Sequence, residues 1–129
     1  EIIYTLDTHF DDYLTTAEGK SLPVPHCIKG TVGHKLYGGL ADALKGKLCF
    51  EKNTFPSLEM AKYLEGKDFD TIELCGLVSN ICVLSNAVMA KSACPNSEII
   101  VDSSLTAAAD EEIHQKSLDV MKGLFIKVL

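Results

Sequence analysis

The chain contains no arginine and no tryptophan, and its 12 basic residues are all lysines. Nucleic-acid surfaces rely on basic stripes whose guanidinium forks grip phosphates and base edges at two points. A chain with net charge −6 and no such fork is not built for that task. The same gap excludes a phosphatase in which a cysteine works beside a phosphate-binding arginine. No apolar run approaches the ~20 residues that cross a bilayer, and no signal-peptide pattern opens the sequence. Cys-x-x-Cys pairs are absent. The five cysteines, Cys27, Cys49, Cys75, Cys82 and Cys94, are an odd number, which reads as reduced thiols in a cytoplasmic setting rather than a disulfide framework.

What remains is an ordinary globular composition: 129 residues, 47% hydrophobic and 23% charged, with no repeat and no low-complexity tract. That length predicts one domain burying about two-thirds of its unfolded surface. Period and punctuation place strands at 1–8, 47–51, 70–76, 98–102 and 124–128. Helices are expected at 36–44, 57–65, 80–93 and 110–122. Residues 10–35 are polar, broken by Gly and Pro, and read as a long loop of the kind that is usually functional or disordered. Strands alternating with helices predict an α/β three-layer sandwich, a Rossmann-like parallel sheet with helices on both faces.

Ligands of such sheets sit off the carboxyl ends of the strands. Asp7, Lys52, Cys82 and Asp102 all fall on that edge. Cys82 lies in Gly76-Leu-Val-Ser-Asn-Ile-Cys-Val-Leu-Ser-Asn-Ala87, where Gly76 permits a tight strand exit and Ser79 or Asn80 can cap the following helix. A cysteine in a first helical turn is favoured as a thiolate and so as a nucleophile. A lone cysteine is more often a small buried residue; the shared edge is what argues otherwise. Cys49 and Cys75 lie in strand-like runs and are expected in the core. Asp102-Ser-Ser-Leu-Thr106 is expected to be a turn.

Asp7-Thr-His9 puts a carboxylate and an imidazole on one side of an extended segment. His26 arrives in Pro23-Val-Pro-His-Cys27, stiffened by two prolines. One carboxylate with two histidines can hold a divalent metal, zinc first, with iron or manganese as alternatives. Lys52, at a strand end, could stabilise a thiolate and the charge that develops in acyl transfer. His34 and His114 read as surface residues, and Asp11 with Asp12 as a solvated pair.

These residues resemble the isochorismatase-like cysteine hydrolases, and among them most closely the nicotinamidases, from Asp7 to about Lys122. The stretch 76–87 is similar to the nucleophile motif, with Ser79 where threonine is usual. Lys52 with Phe55 and Ser57 resembles the lysine motif in shortened form. Asp7, His9 and His26-Cys-Ile-Lys-Gly-Thr31 resemble the metal-site elements that set nicotinamidases apart from metal-free relatives. The resemblance implies thioester chemistry on Cys82 that releases ammonia from a small amide. It further implies an oxyanion held by the backbone N–H groups of Val78 and Cys82, a cis peptide at Leu77–Val78, and a metal that positions the substrate ring.

The family's catalytic aspartate lies on a strand before the metal-site strand. The expectation is therefore that a central strand and its aspartate lie upstream of Glu1, or that another chain fills the slot. Pro23 stands where nicotinamidases commonly carry an aromatic, so the ring wall is expected from Phe10 or from that upstream segment. Expected partners are a small-molecule amide and further copies of the chain, with neither nucleic acid nor membrane. The competing readings are a hydrolase of another small amide or an enol ether, and a non-catalytic relative.

Overall fold

The computed structural model describes residues 1–129, which divide into two compact units, Glu1–Ser57 and Leu58–Leu129. Helices and parallel strands make up both, consistent with the Rossmann-like α/β class. No helix is long and apolar enough to cross a membrane.

The first unit is built on β1 (Ile3–Asp7) and β2 (Leu48–Lys52). They run parallel in a register that pairs Ile3 with Leu48 and Asp7 with Lys52, so both strands finish level. The long connection between them is not structureless. It holds a 3₁₀ turn at Tyr13–Thr15, α1 (Ala17–Ser21), a second 3₁₀ turn at Val32–His34 and α2 (Leu40–Ala43). Thr16 starts α1 by accepting from the Gly19 N–H at 3.0 Å, a side-chain cap inside a polar stretch with no hydrophobic period to betray it. The helix expected over 36–44 shrinks to one turn, since Gly38 takes φ 57° and starts it late.

The second unit opens with α3 (Leu58–Leu64) and carries a parallel sheet ordered β3 (Thr71–Leu77), β4 (Glu98–Ala107), β5 (Lys127–Val128). The strands thus form two sheets, of two and three strands. After β3 comes a π turn, Ser79–Val83, that runs straight into α4 (Leu84–Ala93); α5 (Glu111–Gly123) precedes β5. Asp110 caps α5 through the Ile113 N–H, and Glu111 and Glu112 suit the positive end of its dipole. The core forms where Ala87 and Ala90 of α4, Ile99 and Val101 of β4, Leu118 and Met121 of α5, and Ile126 are withdrawn from water.

Two expectations change here. β4 does not stop at Asp102. The register with β3 jumps from Leu74↔Val101 to Gly76↔Thr106, and the extra residues bulge out. Asp102 makes the anticipated local turn within that bulge, accepting from the Ser104 N–H at 2.9 Å and its hydroxyl at 2.7 Å. The Ser104 hydroxyl, then its N–H, hold the Asp102 carboxyl below its ordinary value. Cys75, expected in the core, is exposed, because β3 turns alternate residues outward.

Met121 has no solvent exposure, so Met121→Ala is expected to cost about 2–5 kcal/mol. Urea unfolding should show a lower midpoint at unchanged slope; an unshifted midpoint would remove Met121 from the core.

Candidate active site

In the first unit, β1 ends on Asp7, and the chain continues extended through Thr8 to His9. A parallel bridge then zips the later loop onto this extension: the His9 N–H donates to Cys27 O at 3.0 Å, and the Lys29 N–H donates to His9 O at 2.8 Å. Cys27 takes a left-handed φ of 48°, which turns the chain immediately after His26. Two backbone bonds and a tight turn therefore deliver His26 beside His9.

One ligand atom from each of Asp7, His9 and His26 lies within 4.8 Å of the others. Asp7 Oδ2 is 3.4 Å from His9 Nε2 and 3.5 Å from His26 Nε2. Sequence reasoning missed a fourth group. Glu18 Oε1, carried by α1, lies 3.4 Å from His9 Nε2 and 3.7 Å from His26 Nε2. The signal for it was slight: an acid two places after a helix-capping threonine.

His26 Nδ1 bonds Val24 O at 2.8 Å. A carbonyl only accepts, so Nδ1 carries the proton and Nε2 presents its lone pair to the cluster, the tautomer that a metal-binding histidine needs. His9 Nε2 and both Glu18 carboxylate oxygens are buried with no hydrogen-bond partner. Buried polar atoms left unpaired are costly and rare. Two carboxylates and two imidazole nitrogens facing one point fit a divalent cation, and the nitrogen–oxygen donor set suits zinc.

Tyr13 supports this corner. Its ring packs edge-on to His9 and His26, with centroids 4.7 and 5.1 Å away. Its hydroxyl donates to Leu22 O at 2.9 Å. Burial first, then the Glu18 and Asp7 carboxylates, push the phenol above its ordinary pKa, so it stays a donor. A side chain at Gly19 would meet Tyr13 O at 2.0 Å, so only glycine fits beside Glu18. Thr8 gives its hydroxyl proton to Leu6 O and lies 2.9 Å from His34 Nε2, which therefore donates to it. His34 is half-buried and pins the loop; it is not the free surface residue expected.

Lys52 is 7% exposed and lies 3.3 Å from Asp7 Oδ1, while donating to Thr54 O at 3.1 Å. Beside this corner is a cavity of about 330 Å³ whose lining includes His9, Phe10, Glu18, Asn53 and Thr54. That volume lies at the small end of ligand sites.

In the second unit, β3 leaves through Gly76 (φ 119°), and the Leu77–Val78 peptide is cis. The π turn follows, with Val78 O accepting from the Ile81 and Val83 N–H groups at 3.2 and 3.1 Å. Half-buried Cys82 lies within it. Behind it, the Asn86 amide donates to Cys82 O at 2.8 Å and the Ser85 hydroxyl at 3.3 Å. No side chain caps the turn. Ser79 is fully buried and bonds His114 Nδ1 at 2.9 Å instead, so His114 is also no mere surface residue. The remaining thiols differ: Cys94 is buried against Leu64 O, and burial pushes the Cys49 thiol up.

Glu18→Ala is expected to weaken binding of a divalent cation by at least about ten-fold, measured by zinc titration against a competing chelator. Undiminished affinity would exclude Glu18 from the donor set.

The family model of the isochorismatase domain matches residues 1–129. Among solved structures, a pyrazinamidase/nicotinamidase from Streptococcus mutans is 28% identical with a TM-score of 0.85, over 99% of this chain and 75% of that one. A nicotinamidase from Bacillus subtilis is 26% identical with a TM-score of 0.81, over 98% and 72%. A pyrazinamidase of Pyrococcus horikoshii in complex with zinc is 21% identical with a TM-score of 0.79, over 99% and 74%, a likeness that bears on fold alone. No curated protein matches the chain significantly.

Proposed function

The chain belongs to the isochorismatase family of hydrolases, and from that premise we propose that it is a zinc-dependent cysteine amidohydrolase that deamidates nicotinamide. The observation that carries this reading is the donor set of Asp7, His9 and His26, joined by Glu18. Within the family the resemblance ties the first three to nicotinamidases. The likeness at 26–28% identity to enzymes named for nicotinamide and pyrazinamide supports the same substrate class.

In this reading the Cys82 thiolate attacks the amide carbon. A carbon–sulfur bond forms, the carbon–nitrogen bond breaks, and the nitrogen leaves as ammonia with the proton that began on the thiol. Water then adds to the thioester, releasing the acid and restoring the thiol. The Val78 and Cys82 N–H groups are the assigned oxyanion donors, a role that backbone dipoles perform well because they need no reorganisation. The Asn86 and Ser85 bonds to Cys82 O hold the nucleophile's backbone while Sγ reacts.

Asp7, His9, His26 and Glu18 would hold the cation, whose chemistry when bound is to fix a ring nitrogen and so orient the ring. Phe10 and Thr54, on the wall of the cavity, offer that ring an apolar and a polar side. Lys52 is the lysine that the resemblance assigns to the reaction, and its bonds to Asp7 and Thr54 fix where its charge sits.

The test is ammonia release from nicotinamide and pyrazinamide by the zinc-loaded protein. Cys82→Ala is expected to abolish turnover with the fold intact, whereas Cys49→Ala and Cys94→Ala retain most of it. His26→Ala should lose metal and raise KM more than it lowers kcat. Turnover by Cys82→Ala, or full activity in a protein shown free of metal, would overturn the reading.

A further inference from the structure

Ser79 is a hydroxyl with 0% exposure, and its side chain reaches His114, 35 positions along the chain, at 2.9 Å. At the start of a helix a serine ordinarily turns back to accept from a free N–H of the first turn. Here Val78, which has no polar side chain, holds the cap position, and the Ser79 hydroxyl, one residue on, is bonded across to α5. We infer that His114 is a positioning residue for the nucleophile turn, acting on Cys82 through Ser79. The inference rests on the reading of Cys82 as the nucleophile.

A π turn is rare and, where it occurs, is frequently found at functional sites. Its wider loop, closed here by the Val83 N–H donating to Val78 O at 3.1 Å, leaves local backbone bonds a weaker guide to geometry than in an α-helix. Outside contacts must settle it. Behind Cys82 the settling groups are Asn86 and Ser85. In front of it, three residues back, is Ser79.

His114 is itself well placed to serve as an anchor. Its N–H donates to Asp110 O at 3.1 Å, and its carbonyl accepts from the Ser117 hydroxyl at 2.7 Å. One and two turns further on, Leu118 and Met121 root α5 in the core. The imidazole therefore extends from a fixed helix to the first residue of the turn. Without it the buried Ser79 hydroxyl loses its partner, the turn relaxes to repair the loss, and Sγ of Cys82 leaves its line of attack. Small displacements of a reacting atom act on the chemical step more than on binding.

The test compares His114→Ala, His114→Asn, Ser79→Ala and the His114→Ala/Ser79→Ala double variant in the full chain. Three readouts apply: steady-state kinetics, the rate at which iodoacetamide alkylates Cys82 as followed by peptide mass spectrometry, and the melting temperature. His114→Ala is expected to lower kcat about ten-fold with KM nearly unchanged, and to alter the alkylation rate of Cys82 while the protein stays folded at the assay temperature. His114→Asn, whose amide sits near the place of Nδ1, should recover most of both. The double variant should be no worse than the worse single, because one contact is removed either way.

Wild-type kcat and alkylation in His114→Ala, additive losses in the double variant, or no recovery in His114→Asn would each overturn the inference. If Cys82→Ala keeps turnover, the nucleophile reading is what fails. The alkylation rates need neither turnover nor metal, and they still decide whether His114 sets the turn.

Discussion

Two carboxylates and two imidazoles aimed at one point, with His9 and Glu18 largely withdrawn from water, make the constraint on which the first unit depends. Buried polar atoms without partners are costly. Lys52 offsets part of the Asp7 charge through Oδ1, but Glu18 has neither a hydrogen bond nor a lysine. A divalent cation would satisfy all four groups at once. The rest of the corner follows from keeping the donors facing that point. The Val24 carbonyl fixes the His26 tautomer, Tyr13 fills the space behind both rings, and Gly19 lets α1 press close enough to present Glu18.

The second unit solves a different problem. The turn that bears the proposed nucleophile is held by backbone geometry and hydrogen bonds. The turn that bears Cys82 is gripped behind by Asn86 and in front by Ser79. Both gripping side chains are buried. Such bonds contribute modestly when made and cost more when one partner is lost, which makes them better guides of orientation than sources of stability.

Motifs and strand ends were legible in the sequence because each is a local pattern. The apolar runs before Asp7, Lys52 and Gly76 marked strands, and the residues just beyond them were the chemically interesting ones. Glu18, Tyr13 and His114 were not legible, for separate reasons. Glu18 sits on a five-residue helix whose start is a side-chain cap rather than a hydrophobic period. Tyr13 is buried from within a stretch rich in charge. His114 shares the buried face of α5 with Ser117, Leu118 and Met121, but that face carries too few apolar residues to stand out, and nothing local says that a buried serine 35 positions earlier needs it. The turn at Asp102 was read correctly as a turn and wrongly as the end of its strand. A bulge and a terminus share the same Asx chemistry, and only the resumed pairing at Thr106 separates them.

These two kinds of support imply different sensitivities. A cation that binds the folded donor set stabilises it by mass action, to a degree that grows with the logarithm of its concentration. Under the proposed function the first unit is therefore coupled to metal supply as well as to sequence. The hydrogen-bonded turn of the second unit has no such external variable; only substitution alters it. In the proposed mechanism, a change that empties the metal corner acts through substrate orientation, and one that loosens the turn through the chemical step. Kinetics that separate binding from chemistry therefore assign a defect to one unit or the other.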